Sequence, residues 1–342
     1  MQKYRSVRLT RKGPPEVLQV VESDLREPEP GEARIKIQAT GVGRTDVIMR
    51  RGYYPYAPKI PFVPGYEVVG YVDAVGANVS RVAIGDRVAA LTVYGGYAEY
   101  LYRSADELVH VPAALDAAEA VTLILNYVTA YQMLHRSARV QAGQKALMTG
   151  ASGGVGTALL QLGQLAGLKM YGTASQGKHR LLQETSATPI DYRTQDFVEV
   201  IQQLEPGGLD FVFEGLGGNY IRRGFAVLRR GGKLVAYGNS GFSTLLRDLA
   251  QVQLGHRLPN GKSGEFYGIT ALYRKDRTPF FEDLPILFKL LEERKLKPII
   301  GQRFPLLEAA RANALLESGQ ASGKIVLLAP ELLSAGAGMT PR

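Results

Sequence analysis

Seven consecutive residues, Gly150-Ala151-Ser152-Gly153-Gly154-Val155-Gly156, carry the most specific chemistry in the chain. They follow a short apolar run, Lys145–Thr149, and open a stretch with helical periodicity, Val155–Ala166. Ala151, Gly153 and Gly156 take the three places of a G-x-G-x-x-G fingerprint, with alanine in the first. No side chain at Gly153 would block a pyrophosphate, Gly156 lets a helix pack closely, and the helix N-terminus offers unpaired N–H donors at a positive dipole end. Such a glycine run can be an incidental turn. A strand before it and a helix after it favour a dinucleotide loop.

The next strand says which dinucleotide. A protein selecting NAD places Asp or Glu about 20 residues on, against the ribose 2′-hydroxyl. Here the segment reads Gly172-Thr173-Ala174-Ser175-Gln176-Gly177-Lys178-His179-Arg180, without a carboxylate. The hydroxyls of Thr173 and Ser175 and the charge of Lys178 suit a 2′-phosphate, so NADPH is favoured over NADH. The alternative for Lys178 and Arg180 is a solvated first turn of a helix, and His179 reads as a surface residue.

Composition narrows the remaining chemistry. Zero cysteine excludes disulfides, thiolate nucleophiles and every zinc site that needs sulfur. The four histidines, His110, His135, His179 and His256, are scattered, and no metal is expected. A formal charge of +9 favours anionic ligands, but it is spread along the chain and reads first as solvated surface. No apolar run approaches the roughly 18 residues of a membrane span, and Met1–Thr10 lacks a signal-peptide core, so a cytoplasmic protein is expected.

Two textures position these residues. From Tyr4 to about Val111 short alternating runs (Ala33–Ala39, Val68–Val75, Asp86–Leu91, Gly96–Tyr102), broken by Gly and Pro, predict a small antiparallel β domain. Then Lys145–Thr149, Lys169–Thr173, Pro189–Tyr192, Leu209–Phe213 and Lys233–Tyr237 alternate with helical stretches, as in a doubly wound parallel sheet. Helices are predicted at Glu282–Lys295 and Leu307–Ser318, with a last strand at Gly323–Leu328. Gly255–Gly264 reads as a mobile basic connection, by default a plain linker that could also cover a site. Ser334–Arg342 reads as a frayed end.

The chain resembles the medium-chain dehydrogenase/reductase superfamily, in its zinc-free quinone oxidoreductase branch. Beyond the glycine loop, the likeness rests on Ala39-Thr40-Gly41-Val42-Gly43-Arg44-Thr45-Asp46, Pro64-Gly65-Tyr66-Glu67-Val68-Val69-Gly70, Gly85-Asp86-Arg87-Val88, Ile190-Asp191-Tyr192 and Ser322-Gly323-Lys324-Ile325-Val326. Leu125-Asn126-Tyr127-Val128-Thr129-Ala130-Tyr131 and the Gly172–His179 segment are most similar to the vesicle amine transport protein group. This implies an α/β protein: a GroES-like β-barrel domain (1–124 and 267–330), a Rossmann domain (125–266) and a frayed tail (331–342), with the active site in the cleft. It implies pyrophosphate on Ser152, Gly153, Gly154 and Val155, the 2′-phosphate on Ser175, Lys178 and Tyr192, nicotinamide near Asn126 and Thr129, and further cofactor contacts at Asn239 and Lys324. It also implies a homodimer through sheet edges near Phe266–Thr270. Zinc-dependent relatives carry a cysteine after the first β segment and a Gly-His-Glu motif. Here Gly43–Asp46 has no sulfur, and the second motif reads Gly65-Tyr66-Glu67.

Without a Lewis acid, the resemblance implies hydride delivery from NADPH to an already electrophilic carbon, in a quinone or a conjugated carbonyl. Within Gly52-Tyr53-Tyr54-Pro55-Tyr56, Tyr54 takes the family's Gly-x-Tyr place and could orient the substrate or donate a proton. Since 12 of the 18 tyrosines precede Gln132, the alternative of an aromatic wall stays open. Asp46 keeps the family's acidic position as a second catalytic candidate, or as a helix cap. Gly43 stands where many quinone oxidoreductases have Asn, and Arg44 reads as exposed. A second reading is an NADPH-binding adaptor or sensor associated with lipid membrane or RNA. DNA binding is not expected, because no basic-aromatic nucleic-acid motif is present.

Overall fold

The computed structural model describes residues 2–238, 242–257 and 259–336. The strands are β1 (Lys3–Leu9), β2 (Leu18–Asp24), β3 (Glu32–Val42), β4 (Glu67–Val75), β5 (Arg87–Leu91), β6 (Tyr100–Ser104), β7 (Val109–His110), β8 (Lys145–Met148), β9 (Lys169–Ala174), β10 (Thr188–Asp191), β11 (Leu209–Glu214), β12 (Leu228–Tyr237), β13 (Ser263–Tyr267), β14 (Ile300–Pro305) and β15 (Lys324–Leu328). Two compact units result. Residues up to Leu125 join those from Phe280 onward, and Asn126–Pro279 form the second unit.

The first unit is built on a sheet ordered β14-β15-β3-β4-β5-β7, with β6 also paired to β3 and β1-β2 as a separate ribbon. Its centre explains itself in the sequence of β3. Ala33, Ile35, Ile37 and Ala39 alternate into the core while Lys36 faces water, and from Ala39 to Val42 every residue is buried. The inner end of β3 thus runs through the interior next to β4 and β15, where the first group of candidate residues lies.

The second unit holds a parallel sheet ordered β10-β9-β8-β11-β12-β13. Its strands are apolar on both faces, as a sheet covered by helices on two sides requires. Chain direction across the sheet reverses between β8 and β11, and ligands of open α/β sheets bind outside the strand ends at such a switch point. The Gly150–Gly156 loop leaves β8 there and feeds the helix Gly154–Leu165. A Cβ at Gly156 would lie 2.6 Å from both the Gly150 and Ala151 carbonyl oxygens, so the helix enters against its own loop backbone.

Several sequence expectations shift. The strand sought at Gly96–Tyr102 starts at Tyr100, because Tyr97 is drawn into backbone pairing with Val7 and Pro64. Texture changes near 267 because β13 ends there, whereas the chain rejoins the first unit only at Phe280. The expected linker Gly255–Gly264 is largely ordered: it begins in the helix Phe242–Arg257 and ends in β13. Its glycines serve packing, since a Cβ at Gly255 or Gly264 would lie 2.4 or 2.8 Å from the Phe225 ring. Pro330–Gly336 is helical where fraying was expected from 331, and 337–342 lie outside the described residues.

Gly156→Ala cannot be absorbed by a rotamer change, because the obstacles are backbone atoms. It should lower the unfolding free energy by about 2 kcal/mol or more, the range of overpacked sites, read by urea denaturation.

Candidate active site

In the first unit a short helix, Arg44–Arg50, begins beside the inner end of β3, and Asp46 in its first turn is 1% exposed. Asp46 Oδ2 accepts from Gly43 N at 2.9 Å and Oδ1 from Gly65 N at 3.1 Å. Burial pushes its carboxyl up to about 6, against the pull of these donors and of Lys324. Asp46 is therefore a positioning residue, holding Gly65 to the helix.

Gly65 has φ +106°, and a Cβ there would strike the backbone of Gly96 and Tyr97, so only glycine makes this turn. Thr92 Oγ1 donates to its carbonyl at 2.8 Å, while Thr92 N and Val93 N donate to the Tyr66 carbonyl at 2.9 and 3.1 Å. Tyr66 is thereby fixed, 1% exposed, with its ring facing Tyr54. The two phenol oxygens are 2.5 Å apart and the rings meet edge to face, centroids 6.1 Å apart at 75°. Tyr54, half-buried, also meets Tyr56 edge to face at 5.7 Å, while Tyr53 is exposed.

Behind this pair, Glu67 and Lys324 form a buried ion pair. Burial pushes Glu67 up to about 7, with Lys324 pulling it down. Gly41 leaves the space, since a Cβ there would overlap both side chains. Lys324, expected at the cofactor, is thus committed to a carboxylate within the first unit. Gly43 leaves room for a side chain, with no Cβ contact under 3.4 Å, and Arg44 is exposed.

In the second unit the glycine loop is tied to β9. Gly150 N donates to Thr173 Oγ1 at 3.0 Å, and Ala151 N donates to the Thr173 carbonyl at 3.0 Å. Thr173, expected as a cofactor contact, is 1% exposed and holds the loop. Ser152 and Val155 are half-buried, Gly153 is exposed, and a Cβ at Gly153 would have only the Gly150 carbonyl near it, at 3.4 Å. No side chain caps the helix Gly154–Leu165, which leaves its first N–H groups for an anion.

Beside this loop lies the start of the second unit, Asn126–Gln132, whose first two residues close the π-helical stretch Leu123–Tyr127. Asn126 lies in that wider turn and Thr129 one turn on, 5% and 4% exposed. Neither Asn126 Nδ2 nor Thr129 Oγ1 has a hydrogen-bond partner among the described residues. The amide lies against the loop, 2.3 Å from where a Gly154 Cβ would be. Unmet buried donors cost about 1–3 kcal/mol each, so these atoms fit a polar ligand held at the loop.

At the end of β9, Ser175 is half-buried, and Lys178 is close enough to Tyr192 and Arg193 to feel both. Partial burial, then the Arg193 charge, lowers the Lys178 pKa. The Arg193 guanidinium lies 6.0 Å from the centre of the exposed Tyr192 ring. Arg193 adds a second cation that sequence reading missed, although it directly follows Tyr192. His179 turns to the Ala174 carbonyl, Arg180 is exposed, and Asn239 lies outside the described residues. Among the described residues no three His, Cys, Asp or Glu side chains gather as a metal site.

Known proteins place this arrangement. The sequence profile of the alcohol dehydrogenase GroES-like domain matches residues 29–113, and that of the zinc-binding dehydrogenase family matches 186–327. The chain belongs to the medium-chain dehydrogenase/reductase superfamily. Human quinone oxidoreductase is 32% identical over 331 residues, 95% of this chain and 97% of that protein. The human synaptic vesicle membrane protein VAT-1 homolog is 37% identical over 219 residues, 64% of this chain and 56% of that protein. Escherichia coli quinone oxidoreductase complexed with NADPH superposes with a TM-score of 0.86 at 27% identity, covering 95% of this chain and 99% of that one. Within the superfamily, the chain lies in the branch of quinone oxidoreductases and VAT-1 homologues.

Glu67→Gln would leave the Lys324 ammonium buried without a counter-charge. It should lower stability by about 3–5 kcal/mol, and adding Lys324→Met should recover most of that. Denaturant titration of the three proteins decides, and a single variant as stable as the parent would remove the ion pair from this account.

Proposed function

We propose that this protein is an NADPH-dependent oxidoreductase that reduces quinones or activated alkenes without a catalytic zinc. The observation that carries the reading is the phenol pair Tyr54–Tyr66, whose Tyr66 stands in the Gly65-Tyr66-Glu67 motif that resembles the Gly-His-Glu of zinc-dependent relatives. The donor set there suits a metal poorly: Asp46 is engaged by two backbone N–H groups, Glu67 is paired with Lys324, and the chain has no cysteine. NADPH, when bound, supplies a hydride to an electron-poor carbon. The chain's own residues do the rest.

Backbone N–H groups around Ser152–Val155 and the helix end would hold the pyrophosphate, and Ser175, Lys178, Tyr192 and Arg193 the 2′-phosphate. The unmet Asn126 Nδ2 would donate a hydrogen bond to the bound nucleotide, and the Thr129 hydroxyl would donate one or accept one. Similarity to the Escherichia coli enzyme complexed with NADPH supports this assignment. Tyr54 would donate its proton as negative charge develops on the acceptor. A homodimer through the edge strand β13 is part of the proposal. Among the described residues no helix is long and apolar enough to cross a membrane.

Oxidation of NADPH by a panel of quinones and enones tests the reading. Tight NADPH binding without turnover on any acceptor would instead favour an adaptor. Tyr54→Phe should lower turnover at least about tenfold with NADPH affinity unchanged. Lys178→Ala should weaken NADPH about tenfold and NADH little, measured by calorimetry, and equal weakening would contradict the phosphate assignment.

A further inference from the structure

On the reading that Tyr54 delivers the proton, we propose that Tyr66 is the positioning residue that makes Tyr54 an effective acid, donating its own hydrogen bond to Tyr54 as the Tyr54 proton leaves. The hydride and its electron pair bond to the β-carbon of a conjugated carbonyl, and the displaced π pair moves onto the α-carbon and oxygen. The Tyr54 O–H bond then breaks, its proton joins that enolate, and the electron pair stays on the Tyr54 oxygen. The two phenol oxygens lie 2.5 Å apart, the separation of a charge-assisted O–H···O⁻ bond, and once Tyr54 has given up its proton Tyr66 is the member of the pair that still has one to donate. Water afterwards returns a proton to Tyr54.

The pair is asymmetric, which assigns the roles. Tyr66 is 1% exposed and pinned by backbone bonds on both sides, so its hydroxyl cannot turn to solvent. Burial raises the Tyr66 phenol well above its ordinary value, with Tyr54, Asp46 and Glu67 adding to it, so Tyr66 keeps its proton. The titratable groups around the pair are Tyr56 from the same turn and Asp46 from the helix Arg44–Arg50. Glu67 at the start of β4 comes with Lys324 of β15, and Tyr97 lies beside Asp46. Asp46 accepts from Gly43 and Gly65, and Glu67 is ion-paired with Lys324.

Tyr66→Phe keeps the ring and its edge-to-face contact and removes only the hydroxyl. The test uses the full chain with a single 3-fluorotyrosine at position 54, whose fluorine resonance is followed against pH with and without Tyr66→Phe. The midpoint should rise by about one pH unit in the variant. In the unlabelled protein, turnover should fall about tenfold with KM for NADPH unchanged, and Tyr66→Phe should be silent once Tyr54→Phe is present. An unchanged midpoint overturns the proposal. If Tyr66→Phe does not fold, 3-fluorotyrosine at position 66 of otherwise native protein retains the bond with a stronger donor. It should move the alkaline limit of turnover downward, and an unmoved limit overturns the proposal equally. A shifted Tyr54 midpoint without turnover on any acceptor upholds the pair and overturns the hydride-transfer reading alone.

Discussion

A carboxylate sealed from water must find its donors within the protein, and Asp46 finds them on two separate segments. By accepting from Gly43 N and Gly65 N it fastens the start of the Arg44–Arg50 helix to the turn before β4. Tyr54 follows that helix and Tyr66 follows that turn, so one side chain sets the distance between two phenols. The neighbouring Glu67–Lys324 pair ties the same place to β15, and the bare backbone of Gly41 gives it room. Polar groups held this way act as a frame only while each has its partner, because an isolated charge in the interior is far costlier than a lost surface contact.

The nucleotide unit follows the opposite rule. Its loop is held by Thr173, yet the helix end has no side-chain cap, and the buried Asn126 amide nitrogen and Thr129 hydroxyl have no partner among the described residues. On the proposed function, such unmet atoms are groups organised in advance of a ligand. The π-helical turn at Leu123–Tyr127 belongs to this preparation, since an added residue in the turn redirects the side chain it carries.

Much of this was readable from sequence where the information is local. Strand alternation in Ala33–Ala39, the β-α rhythm after Lys145 and the spacing of Gly153 and Gly156 all depend on residues within a turn or two of one another. What escaped was the choice of partner. Thr173, Asp46 and Lys324 have the residue types of ligands, but the first two are committed to backbone N–H groups and the third to Glu67. Tyr66 was noticed as a histidine that is missing, and its pairing with Tyr54 arises only when a turn closes between them. Gly255 and Gly264 looked like linker residues because sequence does not reveal that a phenylalanine ring, Phe225, rests on both.

The first unit is completed by β15, which inserts between β14 and the central strand β3. During synthesis the whole of Asn126–Pro279 emerges before that strand does, so the nucleotide unit has all its own strands available while the other still lacks an inner one. The phenol pair and its buried ion pair would then be among the last features to mature, and a ribosome stalled before Lys324 would carry a finished dinucleotide fold beside an open, aggregation-prone sheet.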